Sequence, residues 1–168
     1  HREGAHPYTI ASAWDPVQRC LVFVTKALGD HTSRLPERLQ PGMPVEVEGP
    51  YGCFDFEDDR SRQIWVGAGI GITPFIARLK ALAREPGRKA IDLFHPTSDI
   101  DPEALQKLQA DADAAGVRLH LWLGNRDGRL DGDIIRAQIP DWSSASVWFC
   151  GPAGFGQALR ADFLKHGL

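Results

Sequence analysis

The chain has no apolar run approaching the roughly 18 residues that a membrane-crossing helix needs. It also has no basic segment leading into an apolar one at its N-terminus. A helical membrane span and a secretory signal are therefore excluded from the residues present, and a soluble piece is expected. Cysteine is scarce: Cys20, Cys53 and Cys150 are odd in number, widely spaced and never in a CxxC pair. Neither a disulfide framework nor a zinc site is expected, no metal ligand is assigned, and a reducing compartment fits best. A strong charge of either sign is missing as well, since 19 Lys and Arg face 22 Asp and Glu and the basic residues are scattered. Nucleic acid is not an expected partner. What remains is an ordinary globular composition, 43% apolar and 24% charged over 168 residues, enough for one good core or two small ones. The chain opens at His1 without a methionine and stops at Leu168 directly after a helical pattern; both ends are expected to be cut.

The most informative segment that is present is VGAGIGITPF, residues 66–75, which follows the apolar run Gln63-Ile64-Trp65 and opens a helical pattern. Strand, glycine turn and helix start in succession suit a phosphate. Glycines let the backbone approach it without Cβ obstruction, and the unpaired N–H groups and dipole of the helix start favour an anion. A dinucleotide is the natural ligand, with Gly67, Gly69, Ile70, Gly71, Thr73 and Pro74 as its cradle. The phosphate loop of nucleoside triphosphatases needs Lys and then Ser or Thr after its last glycine; Ile72 stands there, so that reading fails. The usual dinucleotide fingerprint has glycine or alanine where Pro74 stands. Thr73 as N-cap and Pro74 as first helical residue still suit a helix start. Taken alone, the segment also reads as a tight connection without a ligand, and context has to decide.

Residues 1–60 read as β structure, with strand patterns at 8–11, 20–26 and 45–48 and one short helix over 30–39. Residues 61–168 change to strand-then-helix units: 64–66 with 74–84, 90–94 with 102–115, 117–123 with 133–137, and 147–150 with 153–166. Such alternation implies an α/β fold, an open parallel sheet with helices on both faces. The acidic run 56–61 reads as a linker between the halves. On residues alone, Tyr8 is a half-buried strand residue, Asp30 and Thr32 are helix caps, and Cys150 is a small apolar residue at a strand end.

Five segments in order, HPYTIAS (6–12), VTKALGDHTSRL (24–35), VEVEGPYG (45–52), VGAGIGITPF (66–75) and FCGPAGFG (149–156), resemble the ferredoxin–NADP⁺ reductase superfamily. Within it, the resemblance is to the ferric reductases and NADPH oxidases, and it spans nearly the whole chain. It implies that residues 1–60 are an incomplete antiparallel β-barrel half belonging to an FAD-binding domain. Residues 61–168 would be an NAD(P)-binding domain with sheet order 3-2-1-4 and its fifth strand missing. FAD and NAD(P)H are the implied cofactors, NADPH slightly favoured, and the truncated chain is expected to bind FAD poorly or not at all.

The resemblance also places residues. Tyr8 would lie against the isoalloxazine ring, and Thr9 near the flavin N5 where hydride arrives. His6 and Pro7 mark the ferric reductase branch, since plant-type reductases carry Arg where His6 stands. Lys26, Gly29, Asp30, His31, Thr32 and Ser33 would meet the FAD pyrophosphate. Cys150 would sit near the nicotinamide C4 with Gly151 and Pro152 flanking the ring, which makes Thr9 and Cys150 the implied catalytic residues. At the adenosine end, His95, Thr97, Ser98 and Arg126 could donate to a phosphate, while Asp99 would oppose it. Arg126 and Arg129, which follow the third strand on the same sheet edge, could compensate for it, though both also read as solvated loop residues. The implied activity passes hydride from NAD(P)H to FAD and then single electrons to the haem of an upstream membrane domain, with this piece on the cytoplasmic side of the membrane. Two alternatives stand beside it: a soluble reductase for a ferredoxin or oxygenase, and a non-catalytic NAD(P)H-sensing module.

Overall fold

A computed structural model describes residues 5–52, 54–98 and 101–168; Cys53 and Asp99, both weighed above, lie outside the described residues. Four strands, β1 (Arg62–Gly67), β2 (Ala90–Thr97), β3 (Arg118–Leu123) and β4 (Ala145–Cys150), pair in parallel in the order β3-β2-β1-β4. This is the expected order. Between and around them run α1 (Asp30–Arg38), α2 (Thr73–Arg84), α3 (Pro102–Ala114), α4 (Gly124–Asp127), α5 (Gly132–Gln138) and α6 (Ala153–Lys165).

Alternation along β1 sends neighbouring side chains to opposite faces. Trp65 packs with Phe75, Leu79 and Leu82 of α2 and with Leu108 and Ala112 of α3. Ile64 and Val66 pack on the other face with Ile135 of α5 and with Leu159 and Phe163 of α6. Each of the larger side chains, from Val66 up, contributes about 1.5–3 kcal/mol through burial, so the sheet is held by two apolar layers as well as by its hydrogen bonds.

The helix starts follow their sequence signals unevenly. Asp101 caps α3 by accepting from the Glu103 and Ala104 amides at 3.0 and 3.3 Å, with Pro102 in the first turn. Asp131 caps α5 through the Ile134 amide. Thr73 does not cap α2, contrary to expectation. A 3₁₀ turn over Gly69–Ile72 runs straight into the helix, and the Thr73 hydroxyl donates back to the Ile70 carbonyl at 3.1 Å. The early amides of α2 are thus partly served by the turn that precedes it.

Residues 1–60 depart further from expectation. Helix α1 forms, but the strand patterns at 8–11 and 20–26 meet in a single antiparallel bridge, Ile10 with Phe23, and 45–48 forms no strand among the described residues. Alternation fixes which side chains share a face; it does not supply a partner for the backbone ladder. Accordingly Val22, Val24, Val45 and Val47 stay exposed.

Within the expected linker at 56–61, Phe56 and Asp58 turn inward while Glu57, Asp59, Arg60 and Ser61 stay exposed. Phe56 is buried with φ +65 and touches the rings of Trp65, Trp148 and Phe75 at 4.8, 5.3 and 5.7 Å. A bulky residue in the left-handed region holds only where its surroundings over-determine it. Two residues on, the Asp58 carboxylate accepts from Lys89 (2.7 Å), Gln63 (2.6 Å), Ser146 (2.7 Å) and the Arg60 amide (2.8 Å). Burial pushes its carboxyl up, and these donors together hold it far below the usual carboxylate range.

Leu79, fully buried in the α2 layer, sets a measure of the core: Leu79→Ala is expected to lower unfolding stability by about 2–5 kcal/mol, read from urea midpoints at constant m-value.

Candidate functional site

In an open parallel sheet a ligand crevice forms outside the carboxyl ends of the strands, at the point where the strand order reverses. Here that point lies between β1 and β4. The Ala68 amide donates to the Cys150 carbonyl at 2.9 Å, and the Gly71 amide turns back to the Ala68 carbonyl at 3.0 Å. A Cβ on Gly71 would stand 2.2 Å from the Cys150 carbonyl oxygen, and one on Gly151 would stand 2.7 Å from the Ala68 Cβ. Only glycine permits that approach. The turn therefore lies directly on the Cys150–Gly151 edge, and Pro152, the cap residue of α6, follows.

Beneath the turn, His95 is buried, and its Nδ1–H donates to the Gly67 carbonyl at 2.6 Å. Burial lowers its pKa, against the opposing effect of that hydrogen bond, and keeps the ring neutral. His95 thus supports the turn and does not line the cleft. Cys150 is half-buried, and burial pushes its thiol up. Its thiol is mostly protonated near neutral pH and reacts slowly as a nucleophile.

Beside the turn opens a cleft of about 260 Å³ whose lining includes Ala68, Thr97, Ser98, Trp122, Arg129 and Phe155. Thr97 and Ser98 fall where expected, at the end of β2. Arg126 does not line it. Its Nε and Nη2 grip the Asp127 carboxylate at 2.7 and 2.8 Å, within the short α4. The cation at the cleft is Arg129, three residues on, with Trp122 and Phe155 as apolar walls. Sequence reading treated Arg129 as a compensating loop residue and passed over both aromatics. The carboxyl-edge rule applied to every strand end would have found Trp122.

At the other expected site, residues 23 and 25 apart in sequence come together. The Tyr8 hydroxyl lies 2.8 Å from His31 Nε2, and the His6 ring stacks on His31 with centroids 3.5 Å apart. His31 sits in the first turn of α1, whose N-cap is Gly29. Thr32 Oγ1 receives the Leu28 and Gly29 amides at 3.1 and 3.2 Å, so the capping role of this residue is observed. Pro7, Thr9, Lys26, Asp30 and Ser33 are exposed. One group of metal-type ligands, Asp133, Asp162 and His166, lies together near α5 and α6, but Arg136 pairs with both carboxylates. No helix among the described residues is long and apolar enough to cross a membrane.

No family model matches the chain. It is 32% identical over 160 residues to an NADPH oxidoreductase of Mycobacterium tuberculosis (strain ATCC 25618 / H37Rv), covering 91% of this chain and 42% of that protein. It is 29% identical over 180 residues to the ferredoxin–NAD(+) reductase component of the alkene monooxygenase system of Xanthobacter autotrophicus (strain ATCC BAA-1158 / Py2), covering 97% and 53%. Its fold matches the flavohem-like FAD/NAD binding domain of nitric oxide dioxygenase from Vibrio cholerae O1 biovar El Tor. The TM-score is 0.70 at 20% identity, over 96% of this chain and 71% of that one. The chain spans about half the length of the curated relatives it matches. Sequence and fold together place it in the ferredoxin–NADP⁺ reductase-like FAD/NAD-binding superfamily. None of these three is a ferric reductase or NADPH oxidase, the branch that His6 and Pro7 suggested.

The buried neutral His95 carries a pH signature. Unfolded, it takes a proton near its ordinary value of 6.5; folded, it does so only at lower pH. Stability is therefore expected to fall as pH drops below about 6.5 and to level off below the folded value. His95→Asn should flatten that fall, as read from urea midpoints between about pH 7.5 and 5.

Proposed function

We propose that the chain is an NAD(P)H- and FAD-dependent electron-transfer module. Residues 61–168 bind the nicotinamide nucleotide, and residues 1–60 belong to the FAD-binding domain. The observation that carries this reading is the cleft at the carboxyl edge, continuous with a glycine turn that lies on Cys150 and Gly151. Its lining suits a nucleotide. Thr97 and Ser98 offer hydroxyls, Arg129 a guanidinium for a phosphate, and Trp122 and Phe155 apolar walls for a base. The turn at 67–71 and the start of α2, with Thr73 and Pro74, would face the pyrophosphate. Cys150, Gly151 and Pro152 would flank the nicotinamide.

FAD, when bound, accepts hydride and releases electrons singly. The remaining work falls to the residues of the chain, which bind, orient and exclude water. Tyr8 and His6, gathered on His31 at the start of α1, would hold the flavin with Lys26, Gly29, Asp30, Thr32 and Ser33. Thr9 would hydrogen-bond near the reacting flavin edge. Cys150, protonated and half-buried, would fill space against the nicotinamide.

For the acceptor, the reductase component similar to this chain favours a ferredoxin or oxygenase partner. A membrane haem domain, with this module on its cytoplasmic side, is a second reading, favoured by His6 and Pro7. Because this stretch alone is expected to hold FAD poorly, the decisive experiment adds NADH or NADPH anaerobically to FAD-loaded full-length protein and follows flavin absorbance. Bleaching is expected. Nucleotide binding without bleaching would leave a sensing module, and failure to bind FAD would defeat the proposal.

The two arginines separate the nucleotides. Arg129→Ala is expected to weaken NADP⁺ relative to NAD⁺ by about tenfold, the loss of a charged hydrogen bond. Arg126→Ala should leave the ratio within about twofold, because its charge is matched at an exposed site. Calorimetric titration of each variant with both nucleotides checks this.

A further inference from the structure

The expected linker is where the two halves meet, and its contacts run in two directions toward the glycine turn. Phe54 and Phe56 touch the Phe75 ring at 5.6 and 5.7 Å, and that ring lies 2.9 Å from where a Gly67 Cβ would stand. Phe54 also meets Trp148 at 5.4 Å, and Asp58 receives the Ser146 hydroxyl and the Trp148 indole N–H at 2.7 and 3.3 Å. Trp148 is two residues from Cys150 on the same strand and faces the same side. The buried Gln63 amide closes the assembly, donating to the Phe56 carbonyl at 2.8 Å and to Asp58 at 2.6 Å, while its oxygen accepts from Trp65 at 2.9 Å. Lys89 adds bonds to both the Asp58 carbonyl and carboxylate at 2.6 and 2.7 Å.

We propose that residues 54–58 form a strap that sets the position of the Gly67 turn and the Cys150–Gly151 edge, with Phe56 and Asp58 as positioning residues for hydride transfer. The functional half of this inference rests on the reading given above; the mechanical half does not. The strap is the covalent path from the first half to the sheet. Its grip on β4 and on the first turn of α2 decides how the two halves present their reacting groups. Nothing in it touches the cleft lining, so loosening it should disturb alignment rather than affinity.

The test compares Asp58→Asn with the parent and with Lys80→Ala, which breaks a remote ion pair to Asp111. The alkylation rate of Cys150 by iodoacetamide, located by peptide mass spectrometry, reads the edge directly. Asp58→Asn is expected to raise it about tenfold while Lys80→Ala leaves it at the parent rate; a rate in Asp58→Asn equal to that in Lys80→Ala overturns the strap. Should Asp58→Asn fail to fold, Phe56→Leu is read by the same criterion. In FAD-loaded full-length protein, kcat for nucleotide oxidation is expected to fall about tenfold with KM within about twofold. An unchanged kcat, or a raised KM with kcat intact, overturns the positioning role. If the parent oxidises no nucleotide, the proposed function fails, and alkylation alone still decides whether the strap holds the edge.

Discussion

Gly71 passes over the end of β4 with no room for a side chain, its would-be Cβ only 2.2 Å from the Cys150 carbonyl oxygen. That backbone approach governs much of what surrounds it. It requires β1 and β4 to be parallel neighbours whose ends coincide, and the register Gly67 with Cys150 meets this. It brings the starts of α2 and α6 to one edge while the two helices pack on opposite faces. The crevice is a consequence of that divergence. The glycine is a packing necessity before it is anything else, since its amide is already committed to the Ala68 carbonyl. What the turn retains for an anion is the helix start behind it.

The two edges of the sheet treat charge in opposite ways. At the amino end, the buried Asp92 carboxylate receives Arg62, His120 and Arg118 at 2.6, 2.9 and 3.3 Å, and Arg62 also reaches Asp141 at 2.8 Å. Burying a carboxylate without such partners costs about 3–5 kcal/mol, so these strand starts hold one another in register. At the carboxyl end, Arg126 is likewise matched by Asp127, and Arg129 at the cleft is in no ion pair among the described residues. Under the proposed function, a ligand phosphate would pair with Arg129 at that edge.

Much of the nucleotide half was legible because period and punctuation agree there. Ile64-Trp65-Val66 and Ile91 to Phe94, broken only by Asp92, read as short buried strands, each followed by a helical pattern. Three things were not legible. Thr73 looked like a cap, yet its role is set by a 3₁₀ turn that no side-chain pattern encodes. Arg126 and Arg129 are alike in composition and spacing, and only the local fold of α4 decides which of them is spent on a neighbour. The acidic run 56–61 looked solvated because its charges dominate. Only Phe56 and Asp58 in it turn inward, and Asp58 is held by Lys89 and Ser146, which lie about 30 and 90 residues away and carry no local signal.

The first half shows what alternation alone cannot do. Val45 and Val47, and Val22 and Val24, have strand-like spacing and remain exposed, because pairing needs a second backbone as well as a favourable face. Its ordered features arise from short-range chemistry instead: α1 closes on the Thr32 hydroxyl, and His6 and Tyr8 gather on His31. A site assembled from a helix cap and three rings has little core of its own, so its alignment with the sheet must come from covalent and packed connections to it. Arg84 reaches back to the Trp14 carbonyl and the Asp15 carboxylate at 3.0 and 2.9 Å, from a half-exposed guanidinium that water screens. The buried aromatic and carboxylate contacts of residues 54–58 are the stronger link. Under the proposed function, hydride transfer would tolerate little misplacement between donor and acceptor, so a rigid connection at that point would serve better than the flexible one its composition suggests.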